Sequence, residues 1–305
     1  MPAGVNRRWR LALQVVVALV VLALVGRTVA ANWRSYRSLT FALNLRPGWL
    51  LLSLASLVVV SALQIESWRR ILSGWAQPLR FVAGARIWFL ANLGRYVPGK
   101  VWSVAGMMVL AEHEGVQRWA AAASAVAVQA VGIGTAAMLV AAATPHAYSP
   151  LRVAAAALLG LGTIGLLAWK GALARLGRAV GAAGEWRALP VRAVLAGSGL
   201  TLLAWCVYGF AFWALARGLG LPATLPLADA AGVFALGYIL GLLALFAPGG
   251  IGVREFTFLA LLTPYLGSSG AIALSVASRL ELTATEAVAG LGALALSGRK
   301  GKGAA

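Results

Sequence analysis

Apolar residues run along this chain in long stretches with little alternation. Six of these stretches predict helices that span a membrane: Leu11–Val25, Trp49–Ile65, Trp119–Ala143, Val153–Trp169, Ala193–Leu215 and Ala271–Leu296. A transmembrane barrel does not fit, because its strands need alternating apolar and polar residues over about ten positions. Between the stretches lie two pairs of arms, each hinged on a Pro-Gly. Phe81–Leu93 and Val101–Ala111 flank Pro98-Gly99; Asp229–Ala247 and Val253–Leu266 flank Pro248-Gly249. The first pair is too short to cross a hydrocarbon core that takes about 20 helical residues per span. Both pairs therefore read as re-entrant hairpins. The longer Asp229–Ala247 arm leaves eight full spans as the alternative.

The two breaks resemble each other. Aligning Leu93 of LGRYVPGKVW with Leu243 puts Tyr96 on Phe246, Pro98 on Pro248 and Gly99 on Gly249. The expected architecture is an all-α polytopic membrane protein of about six spans plus two hairpins. It forms one integral membrane domain, 1–305, built from pseudo-repeat halves of approximately 11–143 and 153–296. The first apolar run follows Arg7, Arg8 and Arg10; a signal peptide cut after Val29-Ala30-Ala31 is its alternative reading.

Composition agrees with a membrane protein. Of 305 residues 61% are hydrophobic and 11% charged, against about 25% charged in a soluble domain. The formal charge of +18 does not imply a nucleic-acid partner, because the basic residues cluster in short loops between spans. With the N-terminus inside, fifteen of the 26 Lys and Arg fall on inner segments and six on outer ones, while Arg86, Arg95, Lys100, Arg254 and Arg279 are embedded. That asymmetry predicts a multi-pass protein of the cytoplasmic membrane with both termini cytoplasmic. Trp68 and Trp75, beside Arg69 and Arg70, read as an interfacial anchor.

The breaks and the embedded charges carry the candidate chemistry. Irregular backbone at depth survives only against protein or a wet cavity, so the hinge residues Pro98, Gly99, Pro248, Gly249 and Gly250 imply a lined cavity. Helices restart near Val101 and Val253, with Lys100 and Arg254 at their starts, a setting suited to an anion such as phosphate. Gly237 and Gly241 form a G-x-x-x-G that allows close packing within the second hairpin. A charge at the centre of a span costs about 2.5–3.5 kcal/mol, so Arg254, Glu255, Arg279, Glu281 and Glu286 must pair or line a polar path. Two readings follow: an ion-pair clamp, Arg279 with Glu255, or a functional role in headgroup binding or in proton exchange through Glu255, Glu281 or Glu286.

Other signals lead nowhere. Gly94 to Lys100 matches G-x-x-x-x-G-K, but Val101 replaces the Ser or Thr that holds magnesium and no soluble strand precedes it. His113 and His146 lack metal-ligand spacing, and Cys206 is the only cysteine. No metal, cofactor or catalytic residue is expected.

Trp68, Ile71, Leu72, Pro98-Gly99-Lys100, the string Pro248-Gly249-Gly250-Ile251-Gly252-Val253-Arg254-Glu255, and Arg279 together give the chain a known look. Over about Leu50 to Leu296 it resembles the lysylphosphatidylglycerol synthase transmembrane-region family of flippase-like proteins, which includes the N-terminal membrane half of the multiple peptide resistance factor. The resemblance implies translocation of a lipid, aminoacylated phosphatidylglycerol in the best-known members, with membrane lipids as partners. No C-terminal aminoacyl-transferase domain is expected, so synthase activity is not implied and the chain reads as a non-enzyme. Arg95 and Lys100 are expected to draw a phosphate from the inner side, and Arg254 and Arg279 to receive it. The alternatives are a non-catalytic membrane partner of a lipid- or glycan-synthesising enzyme and an ion-coupled transporter of a small solute.

Overall fold

Proline and glycine set where the helices start and stop. The computed structural model describes residues 44–94, 101–143, 150–169, 175, 188–244, 250 and 252–299. These form helices α1 (Pro47–Gly74), α2 (Phe81–Leu93), α3 (Val101–His113), α4 (Arg118–Ala143), α5 (Pro150–Ala168), α6 (Val191–Gly218), α7 (Leu227–Leu243) and α8 (Val253–Arg299), with no strand among the described residues. Pro47 and Pro150 open α1 and α5, while Pro190 and Pro226 occupy the caps before α6 and α7, positions where a missing N–H costs nothing. Helices α1, α4 and α6 and residues 253–293 of α8 are long and apolar enough to cross a membrane. Arms α2 and α3, of 13 residues each, reach about 20 Å at 1.5 Å per residue, short of a hydrocarbon core of about 30 Å.

Helices α1 and α6 pack antiparallel. Ser53 Oγ meets the Ala211 carbonyl at 2.9 Å, and Ser67 Oγ meets the Gly197 carbonyl at 2.8 Å; a step of fourteen up one helix is a step of fourteen down the other. The last residue of each, Gly74 and Gly218, lies on the first turns of its partner. An added Cβ would stand 2.6 Å from Ala193 Cβ in one case and 2.5 Å from Leu50 Cδ2 in the other. Both helices have 28 residues and both end in the same double hydrogen-bonded cap. Gln77 and Ala76 donate to the Leu72 and Ser73 carbonyls, as Leu221 and Gly220 donate to those of Ala216 and Arg217. The residue at the turn has positive φ in each, Ala76 at 55° and Gly220 at 72°.

The same exchange relates the remaining elements. Helix α4 packs on α7, and α8 packs on α2. Helices α3 and α8 start at Val101 and Val253 and meet positive-φ glycines at Gly115 and Gly267 after equal intervals. At Gly267 (φ 68°, ψ 167°) α8 kinks, dividing a hairpin arm (253–266) from the last span. The halves are thus an inverted-topology repeat.

Two apolar cores follow. One gathers the C-terminal turns of α1 and the start of α6 around α2, α3 and the first half of α4. The other gathers most of α6 and the second half of α4 around α7 and α8. Because α1 and α6 run oppositely, the two hairpins sit at opposite ends of the bundle. One expectation is corrected: Trp68 and Trp75 are not an interfacial anchor. Trp68 is wholly buried and donates from Nε1 to Ser124 Oγ at 3.0 Å, and Trp75 packs edge-on against Trp119. Arg69 and Arg70 both pair with Glu66. The face carrying the tryptophans is turned inward by α4, which no local pattern in α1 records.

Two stability effects are expected in thermal unfolding of the protein in detergent. Ala76 holds a left-handed conformation that costs an L-residue about 1–2 kcal/mol, so Ala76→Gly is expected to raise stability by about 1 kcal/mol. A Cβ on Gly209 would fall 2.2 Å from Ala231 Cβ and 2.5 Å from its Cα. Gly209→Val is therefore expected to lose about 1–3 kcal/mol by forcing α6 from α7, whereas Gly199→Ala, on an open face of α6, is expected to lose nothing.

Candidate functional site

Where the two cores meet, the bundle leaves a cavity of about 120 Å³, room for several waters. Both hairpins line it. Trp88 and Asn92 come from α2 and Ser103 and Met107 from α3; Phe234 and Tyr238 come from α7, and Arg254 from the start of α8. Gln64, Gln129 and Trp205, near the middles of α1, α4 and α6, complete the wall with Glu286 of the last span. The site therefore lies near mid-depth of the bundle, where the arms converge from opposite ends.

Arg254 is placed there by glycine. Gly237 has no side chain, so the Phe258 ring lies directly on α7; a Cβ at 237 would be 2.4 Å from Phe258 Cε1. One turn earlier Phe234 faces the same space. The Arg254 guanidinium sits against both rings, 4.8 Å from the centroid of Phe234 and 5.0 Å from that of Phe258. Such contacts are worth about 2 kcal/mol when desolvated, and they hold the cation without using its N–H donors. Arg254 Nη2 is shut from solvent and has no hydrogen-bond partner among the described residues. A buried charged donor left open costs more than a neutral one, so an acceptor at this point of the cavity would relieve that cost. Gly241 lies on Gly250, whose φ of 69° suits glycine; a Cβ at 250 would be 2.8 Å from Gly241 Cα. The G-x-x-x-G thus packs the second hairpin closely, as its spacing suggests.

The other embedded charges separate. Arg279 Nη1 donates to Glu255 Oε1 at 2.6 Å, and Glu255 Oε2 accepts from the Gly252 amide at 2.7 Å. Glu255 thereby caps the first turn of α8 and ties it, across the Gly267 kink, to the last span. This is the clamp anticipated from the sequence. Glu281 lies away from the cavity and meets Ser53 Oγ at 3.0 Å; Glu286 lines the cavity with Arg254. Arg95, Lys100, Pro98, Gly99, Pro248 and Gly249 fall outside the described residues. No group of three or more His, Cys, Asp or Glu among the described residues is arranged to hold a metal ion.

Reading for charge overlooked the neutral lining. Gln64, Asn92 and Gln129 are the three side-chain amides within the described helices, and all three face this cavity. An amide inside an apolar helix is the signal that would have found the site. Tyr238 donates to Gln129 Oε1 at 3.4 Å, and Trp205 donates from Nε1 to Thr135 Oγ1 at 3.1 Å, fixing two walls.

The clamp is a partly buried pair, its side chains 13% and 25% exposed. Removing one partner of such a pair strands the other charge, at about 3 kcal/mol or more when fully buried. Arg279→Met is expected to lower unfolding stability more than Glu255→Gln, since Gln still caps Gly252, and the Arg279→Met/Glu255→Gln double variant is expected to recover part of the loss.

Comparison with curated proteins finds no match. The family model described as the lysylphosphatidylglycerol synthase TM region matches residues 11–290. With nearly the whole chain matched, and with a helical membrane fold whose broken arms converge on one polar chamber, the protein belongs to the lysylphosphatidylglycerol synthase transmembrane-region family.

Proposed function

We propose that this protein moves a phosphate-bearing lipid headgroup across the cytoplasmic membrane, by translocation rather than by chemical conversion. The observation that carries this reading is the buried Arg254, held on two aromatic faces with a donor left open in a cavity reached by both hairpins. In this mechanism Arg254 binds the phosphate, while Gln64, Asn92 and Gln129 bond to neutral headgroup oxygens as both donors and acceptors. Glu286 suits a headgroup that also carries a positive charge. Acyl chains remain in lipid. Arg95 and Lys100 gather the phosphate from the cytoplasmic side, where both termini lie. Arg279 acts indirectly, by keeping Glu255 engaged and Arg254 in place.

The modest size of the cavity favours one second reading, an ion-coupled carrier of a small anionic solute. Vesicles containing the purified protein separate the two. Loss of a labelled phospholipid from one leaflet supports lipid movement; accumulation of a soluble anion without lipid movement supports the second reading. Recovery of neither, with a lipid- or glycan-synthesising enzyme captured by the membrane protein, points to a non-catalytic partner.

In the lipid assay Arg254→Ala is expected to slow movement about tenfold to a hundredfold, the equivalent of one charge-assisted hydrogen bond. Arg254→Lys is expected to fall between, keeping the charge but losing the planar stacking on Phe234 and Phe258. Wild-type rates in both variants would remove Arg254 from the mechanism.

A further inference from the structure

The two serine clasps between α1 and α6 occupy equivalent positions but differ in their third member. At one end Ser67 Oγ meets the Gly197 carbonyl at 2.8 Å and Thr201 Oγ1 at 2.8 Å. Ser67 gives its one hydrogen to the carbonyl and accepts one from the threonine. At the other end Ser53 Oγ meets the Ala211 carbonyl at 2.9 Å and Glu281 Oε2 at 3.0 Å. A hydroxyl carries a single hydrogen, and a carbonyl and a carboxylate are both acceptors only. If Ser53 holds Ala211, as Ser67 holds Gly197, then Glu281 must itself supply a hydrogen to Ser53. Only a carboxylic acid does that.

The charge environment agrees. Ser53 is the one polar contact of the Glu281 carboxyl among the described residues. Each charged group on the helices packed against it is engaged or placed elsewhere. On α1, Glu66 holds Arg69 and Arg70, and Arg46 before its first turn is exposed. Arg86 of α2 holds Glu114. On α6, Arg192 is exposed and Arg217 lies over the Trp213 ring. Asp229 of α7 accepts from Tyr265. On α8 itself, Arg279 holds Glu255, while Arg254 and Glu286 face the cavity. An ionised Glu281 would thus have no cation among the described residues, an expensive state inside a membrane protein.

We infer that Glu281 is a proton-binding site, occupied when it closes the Ser53–Ala211 clasp between α1 and α6. When the proton passes to water, the single hydrogen of Ser53 turns from the Ala211 carbonyl to the new carboxylate, and the clasp opens. The site does not depend on lipid being the cargo, and its test measures no transport.

Infrared spectroscopy of the protein in lipid vesicles at neutral pH reads it directly. The wild type is expected to show the carbonyl stretch of a protonated carboxyl, lost in Glu281→Gln and kept in Glu255→Gln. Absence of that band from the wild type, or its survival in Glu281→Gln, overturns the assignment. Ser53→Ala, which leaves the carboxyl in place but removes its acceptor, is expected to shift the band to higher frequency; an unmoved band also overturns it. Glu281→Gln keeps a donor for Ser53 and is expected to unfold at the wild-type temperature, with Glu281→Leu below it.

Discussion

The antiparallel contact of α1 with α6 is the constraint from which the other elements take their places. Two helices that cross a membrane gain little from apolar burial against each other, since lipid is as apolar as leucine. Their attraction comes from close approach and from hydrogen bonds. Here glycines at both helix ends admit the partner's first turns, and Ser53 and Ser67 reach carbonyls on the opposing backbone. Running the pair in opposite directions sends each following hairpin to an opposite end of the bundle. The meeting of the two at mid-depth is then a consequence of the helix pair rather than of anything in the hairpins.

A cavity at that meeting point is also dictated. Each hairpin must turn where its arms end, and turning backbone has open polar groups that hydrocarbon cannot satisfy. Bringing the described arm ends, at Asn92, Ser103 and Arg254, to one polar space lets it serve both hairpins. The side chains around it follow the same logic: amides from three helices, Tyr208 and Tyr238, and the indoles of Trp88 and Trp205 form a lining that tolerates water, while the aromatic faces of Phe234 and Phe258 keep Arg254 in register.

Much of this was legible in the chain. Arm α2 runs over Phe81–Leu93 as the apolar run before the Pro-Gly break indicates, and α3 and α8 restart at Val101 and Val253. The pairing of Arg279 with Glu255 was legible because opposite charges in adjacent apolar segments have few other partners. The burial of Trp68 and Trp75 was not, since tryptophans beside arginines look alike whether a neighbouring helix or lipid covers them. The cavity wall escaped for a different reason. Gln64, Asn92 and Gln129 lie far apart in sequence, and only the crossing of α1, α2 and α4 brings them together.

The repeat is symmetric in backbone and asymmetric in chemistry, and the asymmetry follows the charges. Arg254 and Arg279 look interchangeable in sequence, yet one faces aromatic rings and the other a carboxylate. A carboxylate bonded to Arg254 would compete with any anion entering the cavity; rings stabilise the cation and leave its Nη2 open. Engaging Glu255 with Arg279 and the Gly252 amide keeps that competitor occupied while fixing the helix start that bears Arg254. The clasps show a similar division, with a hydroxyl at Thr201 and a carboxyl at Glu281 completing otherwise equivalent serine contacts. One framework occurs twice in inverted form, and single side chains give its two ends different capacities to hold charge.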